Sequence, residues 1–111
     1  MTLNIVSLSN FTKEVKKLYK KYKKLPNDLK VLHQELSENP KCGIHLGLNL
    51  YKIRMANSSI PTGKSGGFRV IYYYLDEKKN IYLMSIYSKN EIENIDESKL
   101  LEIIKDNGLN K

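Results

Sequence analysis

The amino-acid sequence predicts an α+β fold in one domain spanning residues 1–111, and three features carry that expectation. Apolar residues recur at helical spacing up to Asn39-Pro40, the period changes to two after Gly47, and a helical pattern returns near the C-terminus. A chain of 111 residues has room for one modest core. Its 41% apolar and 28% charged residues are those of a folded globular protein and exclude a disordered one.

Residues 3–8 are short and apolar and read as a β-strand running into Ser9-Asn10, either of which can cap a helix. Phe11, Val15, Leu18, Tyr19 and Tyr22 then form one apolar stripe, with lysines on the other faces. Pro26 is expected to end this helix. Asn27 or Asp28 would cap a second, with Leu29, Leu32 and Leu36 inward and a stop near Asn39-Pro40. The two helices would form a hairpin turning at Leu25-Pro26.

Over residues 48–56, Tyr51, Ile53 and Met55 alternate with Leu50, Lys52 and Arg54, which predicts a strand. A polar, glycine-bearing stretch from Asn57 to Gly67 leads to residues 68–74, rich in β-branched and aromatic types and therefore a second strand of this group. Asp76 to Asn80 reads as a hairpin turn, and residues 81–87 as its partner strand. Asn94 to Asn107 forms a last helix with Ile95, Leu100, Ile103 and Ile104 inward and Gly108 as its stop. The expectation is an antiparallel sheet of about four strands, two N-terminal helices on one face, and a C-terminal helix.

Charge narrows the function classes. Nineteen Lys/Arg against twelve Asp/Glu give a net charge of +7, which favours a polyanionic partner. Seven lysines and one acid lie between Phe11 and Lys24, and no acid lies between Glu38 and Asp76, where Lys41, Lys52, Arg54, Lys64 and Arg69 fall. The lone Cys42 excludes an intrachain disulfide. The first residues lack the basic flank of a signal peptide, and no apolar run approaches the ~18 residues needed to span a bilayer, so a cytoplasmic protein without membrane attachment is expected. The sequons at Asn10 and Asn57 are then empty matches.

Few residues are left to carry chemistry. One cysteine and two histidines, His33 and His45, do not make a closed zinc site, so no metal and no cofactor is expected. Gly63-Lys64-Ser65 resembles the end of a phosphate-binding loop, but Ser58 stands where that motif needs glycine and a strand follows where it needs a helix. The lysine-rich first helix reads as a solvated face, with phosphate or ribosome contact as the alternative. The eight tyrosines read as packing residues, although one beside a cation could stack on a base. What remains is the strand trio: if helices cover the face carrying Ile53, Val70 and Tyr72, then Lys52, Arg54 and Arg69 share the other. Three cations in one cleft repel unless an anion completes the site, and a phosphodiester would do so.

At these residues the chain resembles the RelE/HigB branch of the RelE/ParE toxin superfamily. The likeness rests on Tyr51-Lys52-Ile53-Arg54-Met55-Ala56, then residues 63–73 (GKSGGFRVIYY), then residues 81–91 (IYLMSIYSKNE), in that order, and extends to Asn39-Pro40 and Glu93-Asn94-Ile95. It implies a RelE-like, microbial-RNase-like fold and the toxin of a type II toxin–antitoxin system. It also implies an mRNA interferase: a ribosome-dependent, metal-independent endoribonuclease in which a ribose 2′-OH attacks the adjacent phosphate. Such chemistry needs a base, cations for the phosphorane and an acid for the leaving oxygen. By the resemblance, Arg69 would hold the transition-state phosphate, Lys52 and Arg54 would form a basic pair with Lys52 the candidate base, and Lys89 would serve the phosphate or leaving group. Tyr87 would stack or transfer a proton, and Lys64 and Tyr73 would hold RNA. Some members carry a C-terminal tyrosine that assists catalysis; this chain has none after Tyr87, which leaves the base unassigned.

The partners implied are a cognate antitoxin in a toxin–antitoxin hetero-oligomer, the ribosome and mRNA. Two alternatives stand beside this reading. One is a non-catalytic ParE-like toxin acting on a protein target such as gyrase; the other is a basic RNA-binding module.

Overall fold

Each apolar pattern in the chain becomes an element of a computed structural model, which describes residues 3–61, 66–92 and 94–109. In chain order these are β1 (Asn4–Ser7), α1 (Ser9–Lys21), α2 (Leu25–Glu38), β2 (Ile44–Gly47), β3 (Leu50–Met55), β4 (Phe68–Leu75), β5 (Asn80–Ser88) and α3 (Glu97–Asp106). Among the described residues the strands form one sheet in the order β1-β5-β4-β3-β2.

The class is as expected, and the details correct the expectation in several places. The sheet has five strands rather than about four, because Ile44–Gly47 adds an edge strand whose residues are all exposed and so show no burial alternation. It is mixed rather than antiparallel, since β1 runs parallel to β5. The first helix stops at Lys21, not at Pro26. Pro26 instead occupies the first turn of α2, where a missing N–H costs nothing. Neither Ser9 nor Asn10 caps α1, and neither Asn27 nor Asp28 caps α2; the flanking residues Leu8 and Lys24 make no side-chain cap.

Asp28 and Asn10 are used elsewhere. A carboxylate oxygen of Asp28 accepts from Ser58 N at 3.1 Å, tying the loop after β3 to α2. Asn10 Nδ2 donates to Met84 O at 2.9 Å, and Ile86 N donates to Glu14 Oε1 at 3.2 Å. Beyond Leu83 the edge of β5 has no strand neighbour among the described residues, and α1 meets those backbone groups with side chains.

The sheet is buried on both faces. On one, Phe11 and Leu18 of α1 with Leu25, Leu32 and Leu36 of α2 pack over Ile53, Val70, Tyr72 and Leu83. On the other, Leu100, Ile103 and Ile104 of α3 pack over Leu50, Ile71, Tyr73 and Met84. The two N-terminal helices thus share one face, as expected, and α3 takes the other. The helix also starts later than Asn94, with Asp96 accepting from Ser98 N at 3.0 Å as its cap. Gly108, at φ 64°, stops it as predicted.

Candidate active site on the second sheet face

Register brings the cations together. Antiparallel pairing sets Arg54 opposite Arg69, and Arg69 opposite Tyr87, so these three form one row across β3, β4 and β5. Two residues along, Lys52 lies opposite Ile71 in the next row on the same face. Strand alternation, read from the sequence, placed these residues correctly.

Arg69 is 7% exposed, an unusual setting for a guanidinium, whereas Arg54 is open to solvent. Its Nη1 donates to Phe68 O at 3.3 Å. Burial, and secondarily the charge of Arg54, push the Arg69 pKa below the ordinary arginine value. An anion bound to the row would offset both effects. Tyr87 is 3% exposed, and burial raises its pKa, opposed by a backbone hydrogen bond from Ile95 and by the charge of Arg69. With its hydroxyl engaged by Ile95, Tyr87 is a wall of the site in this conformation.

Lys89 follows the end of β5, where its N–H donates to Gly67 O at 3.0 Å, which brings its backbone next to the start of β4. Lys64 lies outside the described residues. Tyr73 does not join the site. It shares the face, but α3 covers it, and its hydroxyl donates to Leu109 O at 2.8 Å and accepts from Asn49 at 3.2 Å. Tyr73 is a packing residue that anchors the C-terminal segment, so in this conformation it offers no ring to RNA.

Among the described residues, no three His, Cys, Asp or Glu side chains gather as a metal site. No described helix is long and apolar enough to cross a membrane.

Two further features leave no sign in the sequence. A cavity of about 320 Å³ opens between the β2–β3 hairpin and the first turn of α3, with Lys52 and Tyr87 on its cation side. Behind Tyr87, Glu14 of α1 accepts from Ser85 Oγ at 2.7 Å and pairs with Lys99 of α3 at 3.3 Å. Both depend on where α3 lies against the sheet, a contact that local periodicity does not encode.

No known family profile matches the chain. Solved structures do resemble it. A doubly substituted form of the E. coli toxin RelE in the free state aligns at 21% identity over 96% of this chain and 98% of that one, with a TM-score of 0.61. RelE in complex with a peptide of the antitoxin RelB aligns at 21% identity over 92% and 93%, with a TM-score of 0.58. The toxin of the intact E. coli RelBE toxin–antitoxin complex aligns at 24% identity over 76% and 93%, with a TM-score of 0.56. Over nearly its whole length, this chain has the fold of the RelE toxin.

Proposed function

We propose that the chain is the toxin of a type II toxin–antitoxin pair and acts in the cytoplasm as an endoribonuclease that cuts mRNA on the ribosome without a metal in the chemical step. The observation that carries this reading is the row of Arg54, Arg69 and Tyr87 flanked by Lys52: a buried guanidinium beside a second, exposed cation on one sheet face. Cations set side by side across paired strands suit a protein that binds a phosphodiester.

In this reaction the ribose 2′ oxygen attacks the adjacent phosphorus as its proton leaves to a base. The P–O5′ bond then breaks, leaving a 2′,3′-cyclic phosphate, and the departing oxygen takes up a proton. Arg69 and Arg54 hold the charge that grows on the phosphoryl oxygens. Lys52 is the candidate for the 2′ proton, and Lys89 serves the leaving side. Partnership with an antitoxin is supported by the shared fold with RelE, which is solved in complex with RelB.

The test is to express the chain briefly in cells and map the 5′ ends of cellular mRNA. New ends within translated codons are expected for the natural chain and none for Arg69→Ala, since removing one transition-state donor costs roughly 10²–10³ in rate. Growth arrest with no new ends would transfer the reading to a non-catalytic toxin with a protein target.

A further inference from the structure

We infer that Glu14 and Asn10, at the start of α1, are positioning residues for the arginine row: they hold a β-bulge at Met84 that turns Tyr87 onto the face of Arg69. What the row does rests on the ribonuclease reading, which this role deepens. Alternation aligns the cations of β3 and β4, but it does not by itself align Tyr87. Leu83 and Tyr87 are four residues apart, so an unbroken β5 would turn both to one face. Yet Leu83 packs with Ile86 under the N-terminal helices, while Tyr87 packs with Met84 under α3. The pairing shows the cause. Tyr72 stands opposite Leu83 and Ile71 opposite Ser85, so Met84 is an extra residue in β5. One added residue reverses the phase of all that follows. Without it Ile86 would stand opposite Arg69, and Tyr87 would turn toward the other core. The same phase sets Ser88 opposite Phe68 and brings Lys89 N to Gly67 O.

A bulge disrupts the ladder around it, so contacts from outside the pairing decide whether it is held. Here they come from the start of α1 and the residue before it. Leu8 N donates to Leu83 O at 3.0 Å, and Asn10 Nδ2 donates to Met84 O at 2.9 Å. Ser85 Oγ and Ile86 N both donate to Glu14 Oε1, at 2.7 and 3.2 Å. Every residue from Leu83 to Ile86 is held. Asn10 Nδ2 also donates to Glu14 Oε1 at 2.9 Å, which fixes the two side chains against each other. Glu14 is the one acid among seven lysines between Phe11 and Lys24, and its side chain is only 20% exposed. Its other oxygen pairs with Lys99 at 3.3 Å. Glu14→Gln separates these two roles, because an amide keeps an acceptor oxygen for Ser85 and Ile86 but loses the charge that pairs with Lys99.

The experiment follows two readouts on the purified full chain: the cross-strand backbone NOEs between β4 and β5 by NMR, and cleavage of mRNA on ribosomes. In the natural chain the NOEs should pair Arg69 with Tyr87, and Ile71 with both Met84 and Ser85. In Glu14→Ala, compared at equal folded fraction, the Arg69–Tyr87 NOEs should be lost while those of Tyr74 with Ile81, before the bulge, remain. Cleavage should fall with them by roughly 10², the scale of a misplacement of about 1 Å. Glu14→Gln should keep the NOEs and cut near the natural rate. Asn10→Ala should fall between the two, and it carries the test if Glu14→Ala does not fold. Pairing of Arg69 with Ile86 in the natural chain, NOEs unchanged in each folded Ala variant, or Glu14→Gln behaving as Glu14→Ala would overturn the positioning role. So would cleavage at the natural rate after the Arg69–Tyr87 NOEs are lost. The two readings fail separately: a natural chain that pairs as described but cuts no mRNA sinks the nuclease, and the NOEs still decide whether Glu14 and Asn10 set Tyr87 beside Arg69.

Discussion

Arg69 shows how much of the candidate site is legible one residue at a time. Alternation along residues 68–74 sets its side chain on the face opposite Val70 and Tyr72, and the same rule aligns Lys52 and Arg54. What alternation does not show is depth: Tyr73 follows the same rule, yet α3 buries it beneath Leu109. Arg69 also differs from an ordinary surface cation in a way that can be measured. Desolvation and, less strongly, Arg54 lower its pKa, opposed by Tyr87. Arg69→Met keeps most of the apolar stem and removes the charge. The variant is expected to stay folded by thermal melting, while mRNA cleavage falls by roughly 10²–10³. A lower melting temperature together with undiminished cleavage would show that Arg69 is held for packing.

At the scale of elements, long apolar stretches were legible and junctions were not. The spacing of Leu18, Leu32 and Leu36 finds both N-terminal helices, because packing of one stripe dominates their stability. Pro26 misleads, since proline suits the first turn of a helix as well as it ends one. Edge strand β2 escapes because, although Ile44 and Leu46 alternate with His45 and Gly47, four residues ending on a glycine are at the lower limit of a strand signal, and all four stay exposed. Glu14 was similarly hidden among lysines as one acid on a basic helix. Its side chain is only 20% exposed and accepts from Asn10, Ser85 and Ile86 N while pairing with Lys99. It therefore joins α1 to the bare edge of β5 and to α3. Glu14→Ala leaves the Ser85 hydroxyl and the Ile86 N–H without this acceptor, an expected loss of about 2–3 kcal/mol. Urea unfolding is the check, with Glu14→Gln recovering part of the loss. A midpoint within error of the natural chain would mean that water replaces the carboxylate freely.

Across the whole molecule, one sheet separates two cores, and tyrosines serve both. Tyr51 and Tyr72 stack at 5.3 Å under the N-terminal helices, while Tyr73 and Tyr87 pack under α3. The sequence shows eight tyrosines but not which are shut away, because that depends on which helix covers which face. Burial is the main cause that raises the pKa of Tyr72, Tyr74 and Tyr87 above the ordinary tyrosine value. The consequence has a definite sign. Unfolded tyrosines release their protons near pH ~10, whereas these three hold theirs in the folded chain. Above that pH the unfolded state binds fewer protons than the folded state, so stability falls as pH rises. The contribution is full below about pH 10 and is lost as pH climbs through the raised folded-state values. Unfolding free energy measured in urea from about pH 8 to about pH 11 should be level at first and then decline. Tyrosinate absorbance should show the ionisations of Tyr72, Tyr74 and Tyr87 as a late group released together with unfolding. Tyr87→Phe removes one of the late ionisations, so its stability should decline less steeply over the same range. If Tyr72, Tyr74 and Tyr87 instead ionised in the folded chain, with stability unaffected, the enclosure of Tyr72 and Tyr87 by the two cores would be wrong, and with it the wall that Tyr87 gives to the candidate site.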